Sequence, residues 1–453
     1  MEEECTAFET AVLAACTQLL APLGPIGRLV VALSGGRDSV VLLQALAACR
    51  ARLAGPLVAL HVDHALQAES GQWVEACRVR CETLEVSLSV VTLSGEPAPG
   101  ESVEAWARTA RYEAFARHLG PHDVVLTAHH EDDNAETFLL NALRGSGAAG
   151  LRGIAPSRAL GRGWLCRPLL GIATKRLAQY AARRQLTWDE DPMNAALNFD
   201  RSYLRHQVVP TLRSHWPAWA QTLSRSARLQ REGVLAIDRL ADEILDAAGL
   251  SRTTQLSCEV LAAQAPEVRG AVLRRWIARA GFPTPMATHV ERMLTCVLGA
   301  RTDRVPVVIW KGVCVRRYAG ILYLLPAPVR PASPFAIGWD PTRALQLPEG
   351  MLSARWTVGE GIRADLTGPG LSVRSRLGGE RCQLPGRAQH HTLKHVLQDL
   401  QIPPWERPGL PLVYIGEQLA AVANLFVCAD FLAQPGQAAW QPEWIPVSGA
   451  LAP

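Results

Sequence analysis

The sequence predicts an α/β fold in three parts: an N-terminal Rossmann-like parallel sheet, a mainly helical middle domain and a small α+β C-terminal domain. Three observations predict it. Short β-branched apolar runs alternate with amphipathic stretches in the first part of the chain. Long segments rich in Leu, Ala and Arg follow from about Pro217 to Gly299, and short strands and turns return after about Leu371. A chain of 453 residues has room for two or three such cores.

In the N-terminal part, strands and helices are predicted in alternation. The apolar runs, bounded by turn residues, predict strands at Leu29–Leu33, Leu57–Val62, Val86–Leu93 and Val124–Thr127. The amphipathic stretches between them predict helices at Asp38–Arg50, Glu69–Leu84 and Ser102–Leu119. Ser102 is a suitable N-cap for the last of these helices, and Gly120-Pro121 is a suitable stop. This order predicts a parallel sheet covered by helices, with ligands at the carboxyl ends of its strands.

Composition shifts predict the domain boundaries. We expect an N-terminal α/β domain at 1–216, a mainly helical domain at 217–330, a linker at 331–370 and a small C-terminal domain at 371–453. The middle part is predicted to hold helices at Ala218–Ala247 and Pro266–Ala280 and two short strands at Val305–Trp310 and Ile321–Leu325. The linker follows from four closely spaced prolines between 326 and 334. One helix is expected in the tail, near Thr392–Leu400.

Charge and cysteine usage narrow the class of protein. The net charge of +4 is mild, but Arg144 to Arg213 holds twelve Arg or Lys against four acids. Such an excess suits a polyanion, and an ordinary solvated basic face explains it equally well. The eleven cysteines are dispersed and include no CxxC pair, which favours reduced thiols in the cytosol. The acidic N-terminus and the short apolar runs predict a cytoplasmic protein with no membrane contact.

A glycine-rich loop lies where the first predicted strand gives way to a helix. Its six residues are Ser34, Gly35, Gly36, Arg37, Asp38 and Ser39. Paired glycines let the backbone approach an anion, and the following helix presents free N–H groups to it. Ser34 and Ser39 add hydroxyl donors, whereas Asp38 is better suited to a Mg²⁺ ion that bridges phosphates. The spacing is neither Walker A nor GxGxxG, and the alternative is a tight turn capped by Asp38.

Further motifs follow the other predicted strands and fill the tail. Asp133 and Glu136 are three residues apart at the start of a predicted helix, so both carboxylates share one face. The remaining motifs are His61-Val62-Asp63-His64, Thr127–Thr137, Leu143–Leu151, Cys166-Arg167-Pro168-Leu169-Leu170, Leu384-Pro385-Gly386-Arg387, His390–Lys394, Ile402-Pro403-Pro404-Trp405 and Leu410–Tyr414.

The loop resembles the PP-loop of the ATP pyrophosphatase superfamily, which splits ATP between its α- and β-phosphates. With the other motifs, in the same order, the chain resembles the tRNA(Ile)-lysidine synthetase family in its long bacterial form. The resemblance implies an enzyme that adenylates C2 of the wobble cytidine in an isoleucine tRNA with a CAU anticodon. The ε-amine of L-lysine then attacks C2, which yields lysidine, AMP and pyrophosphate. Family members often form homodimers through their N-terminal domains.

The resemblance also implies roles for residues. Asp38, His129, Asp133 and Glu136 are expected at the catalytic centre, with Asp133 and Glu136 holding the lysine and one of them accepting its proton. Both could instead be ordinary acids at a helix N-terminus, and His129 could be structural. ATP is expected to contact Ser34 to Ser39, Asp63 and Arg111, and Mg²⁺ to bind Asp38. The expected tRNA-binding residues are Arg144, Arg201, Arg205, Arg387, His390, His391 and Lys394.

Some positions and alternatives stand apart from this assignment. Arg108, three residues before Arg111, is expected to contact a phosphate of ATP or substrate, or to be an ordinary surface arginine. The chain departs from the family pattern around Gln67, Met193 and Ser202. A related thiolase would need paired cysteines, which this sequence lacks. A non-catalytic tRNA-binding protein is the alternative from another class, and the intact Asp38 and acidic helix argue against it.

Overall fold

The structure is a computed structural model that describes residues 2–64, 70–95, 97, 102–189, 200–250, 253–299, 306–327, 334–368, 370–387 and 389–446. The chain divides into two compact units, Met1–Leu240 and Ala241–Pro453. Each is described by itself below.

The first unit is built on a six-stranded, mostly parallel sheet. Its strands, in chain order, are β1 (Leu29–Ala32), β2 (Leu57–Asp63), β3 (Ser87–Thr92), β4 (Val124–Leu126), β5 (Ser157–Leu160) and β6 (Gly163–Cys166). They lie in the order β3-β2-β1-β4-β6-β5. All neighbours are parallel except β5, which pairs antiparallel with β6. The predicted parallel sheet is confirmed.

Helices connect and cover these strands. They are α1 (Glu2–Leu20), α2 (Arg37–Ala48), α3 (Ser70–Thr83), α4 (Val103–His118), α5 (Glu131–Leu143), α6 (Ala148–Leu151), α7 (Thr174–Arg183), α8 (Asp200–Tyr203), α9 (Val209–His215) and α10 (Trp219–Ala247). A π-helical turn, Leu204–Val208, joins α8 to α9. Ser102 caps α4 as expected, because its side chain accepts a hydrogen bond from the backbone N–H of Ala105 at 3.1 Å.

Both faces of the sheet are buried, which explains the continuous apolar runs of its central strands. Val30, Leu60 and Val125 belong to one core cluster, whereas Leu29 and Val31 belong to another. Successive side chains of a strand point to opposite faces, so β1 contributes to a core on each side. Its first three residues are fully buried. Because the central strands are also parallel, their carboxyl ends lie along one edge of the sheet.

Helix α1 is a feature that the sequence analysis did not predict. Within the described residues, the stretch Glu2–Leu23 is long and apolar enough to cross a membrane by length and composition, with a mean hydropathy of 1.3. In the structure, however, Phe8, Val12 and Cys16 are buried in the same cluster as β1 and α2. Its Glu9 accepts a hydrogen bond from the hydroxyl of Tyr180 at 2.7 Å. The apolar face of α1 therefore covers the core of the first unit.

The second unit holds shorter elements. Its helices are α11 (Cys258–Ala262), α12 (Pro266–Arg279), α13 (Ala287–Arg292) and α14 (Leu393–Asp399). Its strands are β7 (Gln255–Ser257), β8 (Val307–Trp310), β9 (Val313–Tyr318), β10 (Ile321–Pro326), β11 (Ala336–Trp339), β12 (Leu345–Leu347), β13 (Gly350–Val358), β14 (Ile362–Arg363), β15 (Leu371–Arg374), β16 (Arg381–Cys382), β17 (His391–Thr392), β18 (Leu412–Ile415), β19 (Gln418–Val422), β20 (Phe426–Val427) and β21 (Ala438–Pro446).

These strands form four sheets among the described residues. One is β7-β10-β9-β8, which packs with α11 to α13, and a two-stranded sheet pairs β16 with β17. The other two are β11-β15-β18-β19-β20 and β12-β13-β21-β14. The C-terminal α+β prediction is confirmed, and the helix expected near Thr392–Leu400 is α14.

The prediction of a linker at 331–370 needs correction. Strands β11 to β14 lie within it, and Trp339, Leu347, Leu352 and Ile362 are buried in the same core as the C-terminal strands. The prolines near 330 suggested a linker, and the many exposed side chains of β11 and β13 leave no continuous apolar run that would predict these strands. The boundaries near 217 and 330 stay predictions.

Candidate active site

The glycine-rich loop joins β1 to α2 at the carboxyl edge of the sheet. Gly35 has a φ of +88°, a backbone conformation that only glycine adopts without strain. The hydroxyls of Ser34 and Ser39 lie 3.1 Å apart, and Ser39 also donates to the carbonyl of Gly36 at 2.8 Å. The two serines therefore hold the loop in shape. Gly36 is the N-cap of α2, so free N–H groups of the first helical turn face the loop.

Asp38 lies in the first turn of α2, with 30% of its side chain exposed. Its Oδ1 accepts a hydrogen bond from Arg37 Nε at 2.9 Å, and its Oδ2 lies 3.4 Å from His130 Nε2. Burial alone would raise the pKa of Asp38, but the hydrogen bond and charge of His130, together with Arg37, hold it below its usual value. The carboxylate is therefore ionised at neutral pH.

An ionised carboxylate beside a phosphate-binding loop fits a Mg²⁺ ion. Magnesium in nucleotide sites usually takes one or two carboxylates and completes its shell with phosphate oxygens and water. Within the part of the chain that the structure describes, no cluster of three or more His, Cys, Asp or Glu side chains could hold a metal by itself. Asp38 suits an ion that binds together with a nucleotide.

His130 is a residue that the sequence analysis did not assign. It is the N-cap of α5 and is buried, with 5% of its surface exposed. Its Nε2 lies between Asp38 Oδ2 and Asp133 Oδ2, at 3.4 and 3.5 Å, while its Nδ1 lies 3.0 Å from Thr174 Oγ1. Burial lowers its pKa, but the hydrogen bond to Asp38 and the charge of Asp133 outweigh burial and raise it. His130 thus joins the loop to the acidic helix, and its two carboxylate neighbours favour its protonated form.

His129 follows β4 at the same edge of the sheet. Its Nδ1 lies 2.9 Å from the hydroxyl of Thr127. The pKa of His129 is lowered to about 3, mainly by burial. The charge of Asp133 raises this pKa, and the charge of Arg167 lowers it further. His129 is therefore neutral at physiological pH, so it can give or receive a hydrogen bond but is a poor proton acceptor.

Asp133 and Glu136 share one face of α5, as the spacing predicted. Glu136 is 2% exposed, and Asp133 Oδ2 accepts a hydrogen bond from the backbone N–H of His130 at 3.0 Å. Burial would raise the pKa of Asp133, but the charges of His130 and Arg201 lower it to about 2. The carboxylate of Asp133 therefore stays negatively charged at neutral pH. A carboxylate with so low a pKa binds a cation well and accepts a proton poorly.

Two arginines occupy the acid pair in this structure. Arg201 reaches Asp133 Oδ1 and Glu136 Oε2, both at 3.1 Å. Arg205 binds Glu136 with two hydrogen bonds, Nε to Oε1 at 2.9 Å and Nη2 to Oε2 at 2.8 Å, and reaches Asp133 Oδ1 at 3.1 Å. Burial lowers the pKa of Arg205, but the hydrogen bonds to Glu136 and the charges of the nearby carboxylates outweigh burial and raise it. The four side chains form one ion-pair network.

Asp132 braces α5 from the other side. Its Oδ1 accepts a hydrogen bond from the hydroxyl of Thr174 at 2.8 Å, at the start of α7. Its Oδ2 accepts one from Arg213 Nη2 at 3.1 Å. The start of α5 is thus tied to two later helices, which fixes the direction of the acid pair.

The other expected site residues lie at varied positions. Asp63 ends β2, next to β1, where the adenosine of ATP is expected. Arg111 is on α4, and Arg144, at the C-cap of α5, pairs with Asp200 at 2.7 Å. Gln67 and Met193 lie outside the described residues, and Ser202 is in α8.

The four tail residues lie together in the second unit. Gly386, with a φ of +76°, forms the turn before Arg387. Arg387, His390 and Lys394 are exposed, whereas His391 is half-buried in β17. Arg387 lies 3.8 Å from Asp399 and is 48% exposed, so this pairing is loose. Three of the four basic side chains are thus exposed in this part of the tail, and their joint role stays a prediction.

Three parts of the chain match known protein families. Residues 9–212 match the PP-loop domain family, which agrees with a parallel sheet whose first strand ends in this loop: the chain is an ATP-using PP-loop enzyme. Residues 256–323 match the TilS substrate binding domain, and residues 371–444 match the TilS substrate C-terminal domain.

Relatives match nearly the whole chain. The tRNA(Ile)-lysidine synthase of Coxiella burnetii is 39% identical over 416 residues, 91% of this chain and 92% of that protein. The enzyme of the same name from Alkalilimnicola ehrlichii is 40% identical over 419 residues, 92% and 94% of the two chains. The protein belongs to the tRNA(Ile)-lysidine synthase family. Among solved structures, a U34-tRNA thiolase from Methanococcus maripaludis is 16% identical with a TM-score of 0.42, and covers 50% of this chain and 80% of that one.

Proposed function

We propose that this enzyme joins L-lysine to C2 of the wobble cytidine in an isoleucine tRNA with a CAU anticodon. It uses ATP to adenylate C2 and forms lysidine, AMP and pyrophosphate. One observation carries the proposal: His130 lies within 3.5 Å of both Asp38 at the PP-loop and Asp133 in the acid pair. A nucleotide-binding loop and a cation-binding pair thus share one edge of the sheet.

The loop supports the ATP half of the reaction. The helix dipole of α2, its free N–H groups and the hydroxyls of Ser34 and Ser39 are suited to the β- and γ-phosphates, which leave together as pyrophosphate. Asp63 lies on the adenosine side, one strand away. A Mg²⁺ ion held by Asp38 would supply positive charge to the phosphates when bound.

The acid pair supports the lysine half. L-lysine carries two ammonium groups, and the carboxylates of Asp133 and Glu136 now pair with the guanidinium groups of Arg201 and Arg205. We propose that an ammonium group of lysine replaces some of these arginine contacts to the carboxylates. The guanidinium groups that are released can then bind an RNA phosphate. The low pKa of Asp133 favours binding over proton acceptance, so of the two roles expected for it we keep only the first.

The tail supports an RNA partner. Arg387, His390 and Lys394 are exposed around one turn and suit the sugar–phosphate backbone, which positions RNA without reading its bases. We propose that they, with His391, contact the acceptor stem. The proposal also includes action in the cytoplasm and a homodimer formed through the N-terminal domains.

Nucleoside mass analysis tests this function. Isoleucine tRNA with a CAU anticodon, transcribed without modifications, is incubated with enzyme, ATP and lysine and then digested to nucleosides. We expect one cytidine per tRNA to gain the mass of lysine less water, and none when the anticodon cytidine is replaced by uridine. A product that carries sulfur, or no product at all, would contradict the proposal.

A further inference from the structure

A cluster of three arginines surrounds the ring of Tyr112, outside the site described so far. The guanidinium carbons of Arg108 and Arg158 lie 5.3 and 4.9 Å from the centre of that ring. The guanidinium of Arg167 lies close enough to the Tyr112 hydroxyl to act on its pKa. The three arginines come from α4, β5 and the residue after β6.

No carboxylate pairs with this cluster among the side chains that the structure describes, which leave out that of Glu104 on the same helix. Arg167 is only 5% exposed; one of its terminal nitrogens donates to the carbonyl of Ala155 at 2.6 Å, and its Nε is buried without a partner. Buried cations are normally paired, and three like charges around one ring repel one another. An anion would complete the cluster, and guanidinium groups bind phosphate in two-point fashion.

The position of the cluster indicates whose phosphate it takes. Arg167 follows the carboxyl end of β6, and Arg158 lies opposite Leu165 near that end, so both are on the edge that carries the PP-loop. Strand β4 lies between β1 and β6, which separates the cluster from the loop by two strand spacings, roughly 10 Å. The expected adenosine position at Asp63 is on the opposite side of β1, on β2.

The cluster also acts on the catalytic edge. The positive charges of Arg167 and Arg108 are among the causes that keep His129 neutral. His129 lies in the short segment that follows β4, and β4 is the strand between the loop and the cluster. An anion on the arginines would therefore lie next to the place where the nucleotide and the reacting base meet.

We propose that Arg108, Arg158 and Arg167 form a clamp for one backbone phosphate of the tRNA anticodon loop, and so position the wobble cytidine over the catalytic edge from the β6 side. This inference rests on the proposed function. The proposed function places the adenosine of ATP on the β1–β2 side, so we assign the phosphate at the cluster to the RNA, and the ATP analogue below tests the other assignment. Tyr112 lies at the centre of the clamp, with Arg108 and Arg158 against its ring and Arg167 near its hydroxyl.

Paired double variants test the clamp. Arg108→Gln/Arg158→Gln removes its two exposed arginines and leaves the buried Arg167 in place. The matched control is Arg117→Gln/Arg162→Gln, which removes the same charge from α4 and from the β5–β6 hairpin, both at exposed positions; Arg162 is in the turn at the far end of the hairpin. Circular dichroism and thermal unfolding check that both variants fold. The probes are a CAU anticodon stem-loop RNA and α,β-methylene ATP.

We expect the clamp variant to bind the stem-loop about ten-fold more weakly than the control. The slope of log affinity against log salt should fall by about 0.7, as for one phosphate of single-stranded RNA. Binding of the ATP analogue should not change. Unchanged RNA affinity and an unchanged salt slope would overturn the clamp. Weaker binding of the ATP analogue with normal RNA binding would also overturn it, because the phosphate would then belong to the nucleotide. If the wild-type enzyme forms lysidine in either case, the proposed function stands and only the clamp fails.

Discussion

Arg205 and Glu136 form a two-point ion pair, with Nε–Oε1 and Nη2–Oε2 distances of 2.9 and 2.8 Å. The carboxylate is buried, so its charge needs a cation at all times. Since lysine is itself a cation, the arginines and the substrate have the same binding partners. In the proposed function the acid pair therefore exchanges one positive group for another, and the first prediction follows from this proposal.

Asp133→Asn and Glu136→Gln should raise the KM for lysine much more than the KM for ATP. Loss of a charged partner for a desolvated ammonium typically costs about 2–5 kcal/mol, or roughly thirty-fold and upward in affinity. Steady-state kinetics with each substrate varied in turn measure both constants. Glu131→Gln, on the same first turn of α5 but outside the ion-pair network, is the control. A change confined to the ATP dependence would show that the carboxylates serve the nucleotide.

Asp38→Asn should abolish adenylation and leave the fold intact. The substitution removes negative charge from the edge of the loop and from the partner of His130, while the side chain is 30% exposed and fills no core space. Formation of AMP and pyrophosphate measures adenylation, and thermal unfolding measures the fold. Normal turnover of this variant in Mg²⁺ would refute a role of Asp38 in holding the ion.

The reaction rate at low lysine should rise with pH, by about ten-fold per unit between pH 7 and 9. With pKa values of about 2 and 3, Asp133 and His129 are already deprotonated across that range, so neither titrates there. The pKa of His130 is raised by Asp38 and Asp133, so the profile is repeated with His130→Gln to separate its titration from that of the amine. The rise follows the neutral fraction of the lysine ε-amine, whose pKa is about 10.4. The measurement is kcat/KM for lysine against pH. A plateau above pH 7 would show instead that a protein group accepts the proton.

Arg387→Ala/Lys394→Ala should weaken tRNA binding and flatten its salt dependence by about one phosphate for each residue. Both side chains are exposed, so the fold should not suffer. Saturating tRNA should restore much of the rate, because these residues position the RNA and take no part in the chemistry. Filter binding at low and physiological salt tests this. Equal binding by variant and wild type at both salts would show that the turn is simply solvated.

The sequence predicted the parts of this site whose signals are local. Gly35 and Gly36 after an apolar run locate the loop, and the spacing of Asp133 and Glu136 places both on one face of α5. The pairing of Glu136 with Arg205 joins residues 69 positions apart, and no local pattern predicts such a contact. His130 escaped notice because its role depends on Asp38, which comes from another strand–helix junction.

Among the strands, too, those with a local sequence signal were predicted and the others were missed. Strands β1 to β4 were predicted because burial on both faces leaves continuous apolar runs. Strand β5 was missed because three of its four residues are partly or fully exposed, which leaves no apolar run in the sequence. The strands within 331–370 were missed for a similar reason, since the prolines near 330 gave the stronger local signal.

Counting the products of ATP against lysidine tests the central claim most directly. Radiolabelled ATP is followed by chromatography, while lysidine is measured by nucleoside mass analysis in the same reaction. The account predicts one AMP and one pyrophosphate for each lysidine, and neither product without tRNA. Release of ADP and phosphate, or lysidine formed without AMP, would contradict it.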